Sequence, residues 1–186
     1  MRLTFVTTNA GKAAEVRSLL MALGIEIGVR AIRLTEIQSD SLEEISARCC
    51  EEAYEILREP VFVEDSGLFI ERLNGFPGPY SSYVQRTIGN AGILKLMAGE
   101  ENRRAYFRSC IACKLSDGPV KLFSGVCVGR ISHEPRGSGG FGFDPLFIPD
   151  EGDGRTFAEM DVKEKSAISH RGKAVRLFAE WLKLAR

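Results

Sequence analysis

The chain is organised around the stretch Val61-Phe62-Val63-Glu64-Asp65-Ser66-Gly67-Leu68. Its first three residues are apolar and predict a short strand that is buried on both faces of a sheet. Because an unpaired charge is costly to bury, we expect Glu64 and Asp65 to lie where this strand ends, at its carboxyl end. Ligands of α/β proteins bind at that end of the strands, and carboxylate oxygens suit Mg²⁺. The alternative is an acidic turn with a glycine at positive φ, and this stretch alone leaves both interpretations open.

The composition is that of an ordinary globular chain of 186 residues, with 44% hydrophobic and 27% charged residues. The 25 basic residues balance the 25 acidic ones, so there is no global positive field for nucleic acid, and any anion site must be local. No apolar run approaches the ~20 residues of a membrane span. The five cysteines are an odd number, which argues against a disulfide framework and favours the cytoplasm. We therefore expect one cytoplasmic domain over residues 1–186 that binds neither nucleic acid nor membrane.

A strand, a small polar loop and a helix follow one another at the N-terminus. Residues 2–7 predict the strand, and the helix has an apolar stripe made of Val16, Leu19, Leu20 and Leu23. The loop between them is Thr7-Thr8-Asn9-Ala10-Gly11-Lys12. Such a loop aims free backbone N–H groups and the positive end of the helix dipole at an anion, and Lys12 adds a full charge. The spacing is not that of a Walker A loop, and the alternative is a helix start that is simply capped by Asn9 or Thr8.

The middle of the chain predicts further strands and helices without an obvious site. Ser41 and Glu44 form a capping box that begins a helix whose inner face extends to Ile56. Two helices over residues 80–88 and 90–97 and three strands over residues 25–34, 105–115 and 120–131 are also predicted, the last two strands joined by a hairpin turn. Glu36 leaves the first of these strands in a polar stretch, where a solvated carboxylate is the ordinary interpretation. Cys110 and Cys113 have no second pair that would complete a zinc site, so we interpret all five cysteines as packing residues.

A glycine-rich loop precedes the last quarter of the chain. Residues 137–142 satisfy G-x-G-x-x-G, but no strand stands directly before them and no helix directly after, so the dinucleotide-binding interpretation fails. The loop leads into Phe141-Gly142-Phe143-Asp144-Pro145. An aromatic side chain on such a loop can stack on a base, and the alternative is a core aromatic beside a turn.

Cations occur at an unfavourable place near the C-terminus. Ser169 can cap the last helix, whose first turn then contains His170 and Arg171, with Lys165 five residues before His170. The helix dipole disfavours cations at an N-terminus unless an anion or a carbonyl-rich ligand joins them. Local rules broken in this way tend to mark function. Together with the anion loop and the acidic strand, these cations describe a Mg-assisted site for a nucleoside triphosphate, with water as the nucleophile.

Five blocks of the sequence resemble the signature of the inosine triphosphate pyrophosphatase family, also called dITP/XTP pyrophosphatases or Ham1-like proteins. They occur in the family's order and are residues 7–12, 64–68, 75–78, 141–145 and 169–171. The resemblance implies an α/β fold in which helices flank a long twisted mixed β-sheet and two lobes surround a central cleft, usually as a homodimer. It also implies Mg²⁺-dependent hydrolysis of non-standard purine nucleoside triphosphates (ITP, dITP, XTP) to the monophosphate and pyrophosphate, which removes them from the nucleotide pool.

The resemblance assigns roles by position. Asp65 would be the proton acceptor and would bind the metal together with Glu36, while Ser66 would contact the substrate. The triphosphate would be held by Thr7, Thr8, Asn9, Ala10, Gly11 and Lys12. The base would be held by Phe141, Gly142, Phe143, Asp144, Lys165, His170 and Arg171. Many relatives have a second Asp where this chain has Glu64, so the resemblance leaves the metal role of Glu64 open.

Two other functions remain open from the sequence. One is a Maf-like pyrophosphatase that acts on modified pyrimidine nucleotides, and the other is a nucleotide sensor without turnover. Intact Asp65 and Lys12 argue against the sensor, since a sensor needs no acid poised at a metal. The blocks around Phe141 and Arg171 favour the purine branch.

Overall fold

The structure is a computed structural model that describes residues 3–184. Its strands and helices, in chain order, are β1 Leu3–Val6, α1 Ala10–Ala22, β2 Ile27–Arg30, α2 Leu42–Leu57, β3 Val61–Ile70, β4 Pro77–Gly78, α3 Ser81–Thr87, α4 Gly89–Leu96, β5 Arg104–Lys114, β6 Lys121–Ile131, β7 Phe147–Pro149, α5 Val162–Ile168 and α6 His170–Leu184. Arg2, which was predicted to begin the first strand, lies outside the described residues. None of the helices within residues 3–184 is long and apolar enough to cross a membrane.

The strands form one mixed sheet in the order β2-β1-β3-β5-β6-β7, with β4 paired to β3 outside this path. β1 is parallel to both β2 and β3, and the other pairs are antiparallel. Parallel neighbours need a crossover connection, and α1 and α2 supply the two crossovers. The tight hairpin between β5 and β6 gives the antiparallel pair that the sequence predicted. The α/β fold with a mixed sheet flanked by helices is confirmed.

Separate hydrophobic cores cover the two ends of the sheet. At the β2 end, α1 and α6 pack on one face, where Phe62 stacks between Phe5 and Phe178, and α2 packs on the other face. At the β7 end, another core contains Leu68, Phe107 and residues of α4, the β7 region and the 157–160 segment. The cores share no residue, as expected for two lobes joined by a continuous sheet.

The strand β3 continues well past the point where it was predicted to end. It runs through Glu64 and Asp65 to Ile70, and Glu64 is only 6% exposed, so the prediction that both carboxylates lie at the end of the strand is wrong. The strand continues because β5 pairs with it along its whole length. Glu64 is tolerated inside because cations from distant helices neutralise it, as described below. The neighbouring strand β1 ends at Val6, close to the level of Glu64. The gap in the sheet therefore lies beside the middle of β3 and not at its end.

Local helix signals were mostly read correctly. Ser41 caps α2, and its Oγ accepts a hydrogen bond from the Glu44 N–H at 3.2 Å. The Glu44 carboxylate accepts from Ser39 Oγ at 2.6 Å rather than reaching back to the Ser41 N–H, so the capping box is not reciprocal. Ile56, expected on the inner face, is 53% exposed, because the buried stripe of the helix continues from Ala53 to Leu57 instead. The five cysteines, all within the described residues, are buried and free.

Candidate functional site

The site lies where β1 ends beside the middle of β3. Phe5 is level with Phe62 in the parallel pair, so the chain that leaves β1 passes beside Glu64 and Asp65. Asn9 begins α1 as its N-cap, and its Oδ1 accepts a hydrogen bond from the Lys12 N–H at 3.0 Å. Thr8, Asn9 and Ala10 are exposed, while Thr7 and Gly11 are partly buried. The capped helix start therefore lies in the loop that was predicted to bind an anion, and residues 8–10 of this loop are exposed to solvent.

Lys12 joins this loop to the acids of β3. Its Nζ lies 3.0 Å from Glu64 Oε2 and 3.7 Å from Asp65 Oδ1. It also donates a hydrogen bond to the Glu64 main-chain oxygen at 3.1 Å. The ammonium group is mostly buried but keeps some exposure, so it is placed at the edge of the opening.

Glu64 is held entirely by protein groups. Its Oε1 accepts a hydrogen bond from Ser109 Oγ at 2.6 Å and lies 3.2 Å from Arg171 Nε, and its side chain is 0% exposed. Burial opposes ionisation of Glu64, but Arg171 and Lys12 outweigh it and hold the pKa of this carboxyl well below its usual range. Glu64 is therefore a buried anion between two cations; its Oε2 forms an ion pair with Lys12 but makes no hydrogen bond within residues 3–184.

Glu15 on α1 is a second buried anion, which the sequence analysis missed. Its Oε2 accepts a hydrogen bond from Arg171 Nη1 at 2.7 Å, and its Oε1 accepts one from Lys165 Nζ at 2.7 Å. Arg171 also donates from Nη2 to Ser66 Oγ at 3.0 Å. Burial acts to raise the pKa of Glu15, but the combined effect of Arg171 and Lys165 is larger, so the pKa lies below its usual value. The one sequence signal was its place three residues after Lys12, one turn into the helix.

The anions that join the cations at the start of α6 therefore belong to the protein. Arg171 is 2% exposed, and although burial acts to lower its pKa, Glu64 and Glu15 raise it above its usual value. The helix dipole disfavours a cation at an N-terminus, and two carboxylates, one from α1 and one from β3, offset this cost for Arg171. Ser169 Oγ accepts from the Gly172 N–H at 3.1 Å, which agrees with its predicted capping role.

The glycine loop brings Phe141 against the anion loop and the cations. A Cβ atom on Gly11 would stand 2.6 Å from Phe141 Cδ1, so the ring lies directly on that glycine. Lys165 Nζ is 5.0 Å and Arg171 Cζ is 5.3 Å from the ring centroid. The Phe141 N–H donates to Asp144 Oδ2 at 2.8 Å, and the same oxygen accepts from Lys165 Nζ at 2.6 Å. Phe141 is thus an aromatic surface next to the loop before α1 and to two side chains that can only donate hydrogen bonds.

Five of the seven residues expected to hold a base are less than 5% exposed: Phe143, Asp144, Lys165, His170 and Arg171. Phe143 is 3% exposed and belongs to the core at the β7 end. The His170 ring stacks on Phe107, with centroids 4.6 Å apart, and its Nδ1 has no hydrogen-bond partner among the described residues. Burial, followed by the charge of Arg171, holds the pKa of His170 well below its usual value, so the ring is neutral. Gly142, which lies between Phe141 and Phe143, is partly buried and has a φ of 65°, a value that forms the turn between these two aromatic residues.

Asp65 feels the charge of Glu36 at the open side of the site. The pKa of Asp65 is raised to about 6, mainly by burial and also by the charges of Glu64 and Glu36, and the opposing effect of Lys12 is weaker than burial. Glu36 is exposed and belongs to a segment without regular structure. In the range 3–184 no group of three or more His, Cys, Asp or Glu side chains is arranged to hold a metal ion. Any metal here would rest on one or two carboxylates and on ligand oxygens, which is the usual arrangement for Mg²⁺ with phosphates.

The chain is similar to known proteins over almost its entire length. The model of the Ham1 family matches residues 3–181. A protein of Thermococcus kodakarensis named dITP/XTP pyrophosphatase is 54% identical over 183 residues, which cover 98% of each chain. A protein of Methanopyrus kandleri with the same name is 55% identical over 184 residues, which cover 98% of this chain and 97% of that one.

Solved structures agree with the sequence relatives. The structure of the Staphylococcus aureus Ham1 protein matches with a TM-score of 0.84 and 26% identity over 100% of both chains. That of a HAM1 protein from Coxiella burnetii matches with a TM-score of 0.84 and 31% identity over 98% of both chains. The similarity therefore covers the whole fold and not a single motif.

Proposed function

Since this chain belongs to the Ham1 family, we propose that it is a nucleoside triphosphate pyrophosphatase that hydrolyses ITP, dITP and XTP to the monophosphate and pyrophosphate. The observation that carries the proposal is the position of Asp65, whose carboxyl lies 3.7 Å from Lys12 at the mouth of the anion loop. Phe141, Lys165 and Arg171 stand on the other side of that loop. A triphosphate on the loop would have the acid beside its phosphates and the aromatic ring beside its base.

Asp65 is suited to accept a proton from water. A general base works best when its pKa lies near the working pH, and without a metal a pKa of about 6 leaves Asp65 mostly ionised but still basic at neutral pH. Asp65 can serve as the base only through an oxygen that the metal leaves free. Water attacking the α-phosphorus would lose its proton to the carboxylate, and pyrophosphate would leave. Lys12 and the N–H groups at the start of α1 would hold the phosphates in place.

The carboxylates of Asp65 and Glu36 fit a divalent cation such as Mg²⁺. The Glu36 charge raises the pKa of Asp65, so the two acids repel each other, and a cation between them would remove this repulsion. A bound Mg²⁺ would neutralise phosphate oxygens and polarise the attacked phosphorus. The segment that carries Glu36 would thereby be tied to β3 when substrate is present.

The cations beside Phe141 account for discrimination against adenine. Hypoxanthine and xanthine have a 6-keto acceptor where adenine has an amino donor, and Lys165 and Arg171 can only donate. An adenine amino group would leave buried donors facing each other without acceptors, which discriminates strongly. Glu15, Glu64 and Asp144 keep these cations in place, so the donors are fixed before a base arrives.

A nucleotide panel tests this function. The protein would be incubated with ITP, XTP, ATP, GTP and dUTP in Mg²⁺, and pyrophosphate release would be measured. We expect ITP and XTP to be hydrolysed at least about 100-fold faster than ATP, since a missing hydrogen bond in a polar site gives discrimination of this order or more. Preferential turnover of dUTP would support a Maf-like enzyme instead, and tight binding without pyrophosphate would support a sensor.

The resemblance further suggests a homodimer that acts in the cytoplasm, where the nucleotide pool is. Light scattering coupled to size-exclusion chromatography checks the first point, because a dimer has twice the 20.5 kDa mass of the chain. Fractionation of cells with an antibody to the untagged protein checks the second.

A further inference from the structure

The segment of residues 31–40, which carries Glu36, has little structure of its own. It contains no helix or strand, and no main-chain hydrogen bond to another main-chain group reaches it from anywhere in residues 3–184. Ile32, Leu34 and Ile37 are partly buried against the core under α2 and attach the segment to the domain. Apolar contacts of this kind hold the segment near α2 but do not fix the orientation of its peptide groups.

Glu52 of α2 supplies the missing orientation. Its Oε2 accepts a hydrogen bond from the Thr35 N–H at 2.8 Å, and its Oε1 accepts one from Thr35 Oγ1 at 3.2 Å. The thiol of Cys49, one turn earlier on α2, lies 3.7 Å from the Thr35 main-chain oxygen. Side chains of one helix, α2, therefore contact Thr35, the residue directly before Glu36, at its N–H, its hydroxyl and its carbonyl oxygen.

The same helix lies against the acid of β3. Cys49 is buried in the core with Val63, and the pKa of its thiol is raised to about 11 by burial and by the nearby charges of Glu36 and Asp65. The grip on Thr35 thus fixes the chain at a point from which the Glu36 side chain can reach the neighbourhood of Asp65.

We propose that Glu52 is a positioning residue that orients Thr35 and thereby places Glu36 beside Asp65 for a divalent cation. The inference rests on the proposed function, because it assumes that Glu36 and Asp65 hold the metal. Glu52 acts through its two hydrogen bonds to Thr35 and does not touch the cation. Groups that orient metal ligands in this way typically affect metal affinity by 10- to 100-fold.

Three variants separate orientation from charge. Glu52→Ala removes both hydrogen bonds and one negative charge. Glu52→Gln removes the charge only, because the amide oxygen can still accept from the Thr35 N–H and the amide nitrogen can donate to the Thr35 hydroxyl. Glu55→Ala is the matched control, since Glu55 is an exposed acid on the same helix, three residues further on.

The experiment is a titration with Mn²⁺ of protein and an equimolar amount of the α,β-methylene analogue of ITP, with free Mn²⁺ measured by electron paramagnetic resonance. A titration of the analogue alone gives the Mn²⁺ that the triphosphate binds in solution, which is subtracted. We expect Glu52→Ala to weaken Mn²⁺ binding by about 10-fold or more and Glu52→Gln and Glu55→Ala to stay within about twofold of the unchanged protein. Hydrogen exchange at residues 31–40 should accelerate in Glu52→Ala alone, while exchange in α2 stays unchanged.

The outcomes distinguish the two proposals. If Glu36→Gln weakens Mn²⁺ binding but Glu52→Ala does not, the positioning role of Glu52 is wrong and the metal site stands. If Glu52→Gln weakens binding as much as Glu52→Ala, charge and not orientation is responsible, and the inference is overturned. If the unchanged protein binds no Mn²⁺, or Glu36→Gln binds it normally, the metal site in the proposed function is wrong.

Discussion

The two sides of the site are built in opposite ways. The ion-paired side consists of Glu15, Glu64, Lys165 and Arg171, all buried and each in contact with at least one opposite charge. The open side is the segment 31–40 with Glu36, which is exposed and has few hydrogen bonds. The difference shows which charges the fold neutralises by itself and which ones it leaves for a ligand.

Burial explains the contrast. A charge taken out of water needs a partner of opposite sign with good hydrogen-bond geometry, and removal of either partner leaves the other exposed to the full cost of desolvation. Arg171 is therefore paired with two carboxylates of the protein itself, and the hydrogen-bond donors next to Phe141 have little freedom to move. Glu36 is exposed to water, where an unpaired carboxylate is stable and stays available to bind a cation.

Asp65 lies where the two sides meet, and its removal should have the largest effect. Asp65→Asn should lower kcat by on the order of 10²- to 10⁴-fold, the usual contribution of a general base, while nucleotide binding stays measurable. Pyrophosphate release and calorimetric titration with a non-hydrolysable nucleotide provide the two readouts. Asp150→Asn, which changes an exposed acid paired with Arg104, is the control. Near-normal turnover in Asp65→Asn would refute its role as the base.

Stability measurements compare the two sides directly. Arg171→Ala leaves Glu15 and Glu64 without their shared partner and should lower the free energy of unfolding by ~3–5 kcal/mol. Glu36→Ala changes an exposed acid and should lie within about 0.5 kcal/mol of the unchanged protein. Urea unfolding followed by circular dichroism gives both values. Equal losses in the two variants would break the distinction between a paired side and an open side.

Phe141 tests whether the ion-paired side is a surface for a base. Phe141→Ala should weaken substrate binding by ~1–3 kcal/mol, seen as an increase in KM for ITP with a smaller change in kcat. Phe141→Trp keeps an aromatic face and should retain most of the affinity. Tyr83→Ala, at an aromatic residue of α3 that is 61% exposed and lies outside the five signature blocks, is the matched control and should leave KM unchanged. An unchanged KM in Phe141→Ala would place the base on another surface.

The pH dependence should show the smallest of these effects. Asp65 must be ionised to accept a proton, so kcat/KM should fall about tenfold per pH unit below pH ~6 and the midpoint should move lower as Mg²⁺ is raised. The raised pKa means that the folded protein binds this proton more tightly than the unfolded chain, so this carboxyl makes the protein less stable as pH rises from about 4 to about 6. Asp65→Asn should abolish that loss, as measured by thermal unfolding at several pH values. A flat kcat/KM profile down to pH 5 would contradict the assignment.

Much of the fold follows from signals that are local in the sequence. The apolar stripe of α1, the Ser41 cap and the hairpin between β5 and β6 each lie within a few neighbouring residues, and all three were predicted correctly. The anion loop is local too, because a capped helix start carries its free N–H groups with it wherever it is placed. That Lys12, Phe141 and Arg171 belong to one site was inferred from the chemistry of their motifs, but which side chains contact each other was not.

The sequence by itself determined most of the helices and strands, but not the ends of β2 and β3. It also determined the loop that begins α1 and the acid at position 65. Only the tertiary structure decided that β3 runs on through Glu64, that Glu15 bridges Lys165 and Arg171, and that His170 is stacked in a core. These facts depend on partners far apart in the chain; Arg171 and Glu15, for example, are 156 residues apart. The cost of burying a charge can be read from one residue, but whether that cost is offset depends on which groups the fold brings within about 3 Å of it.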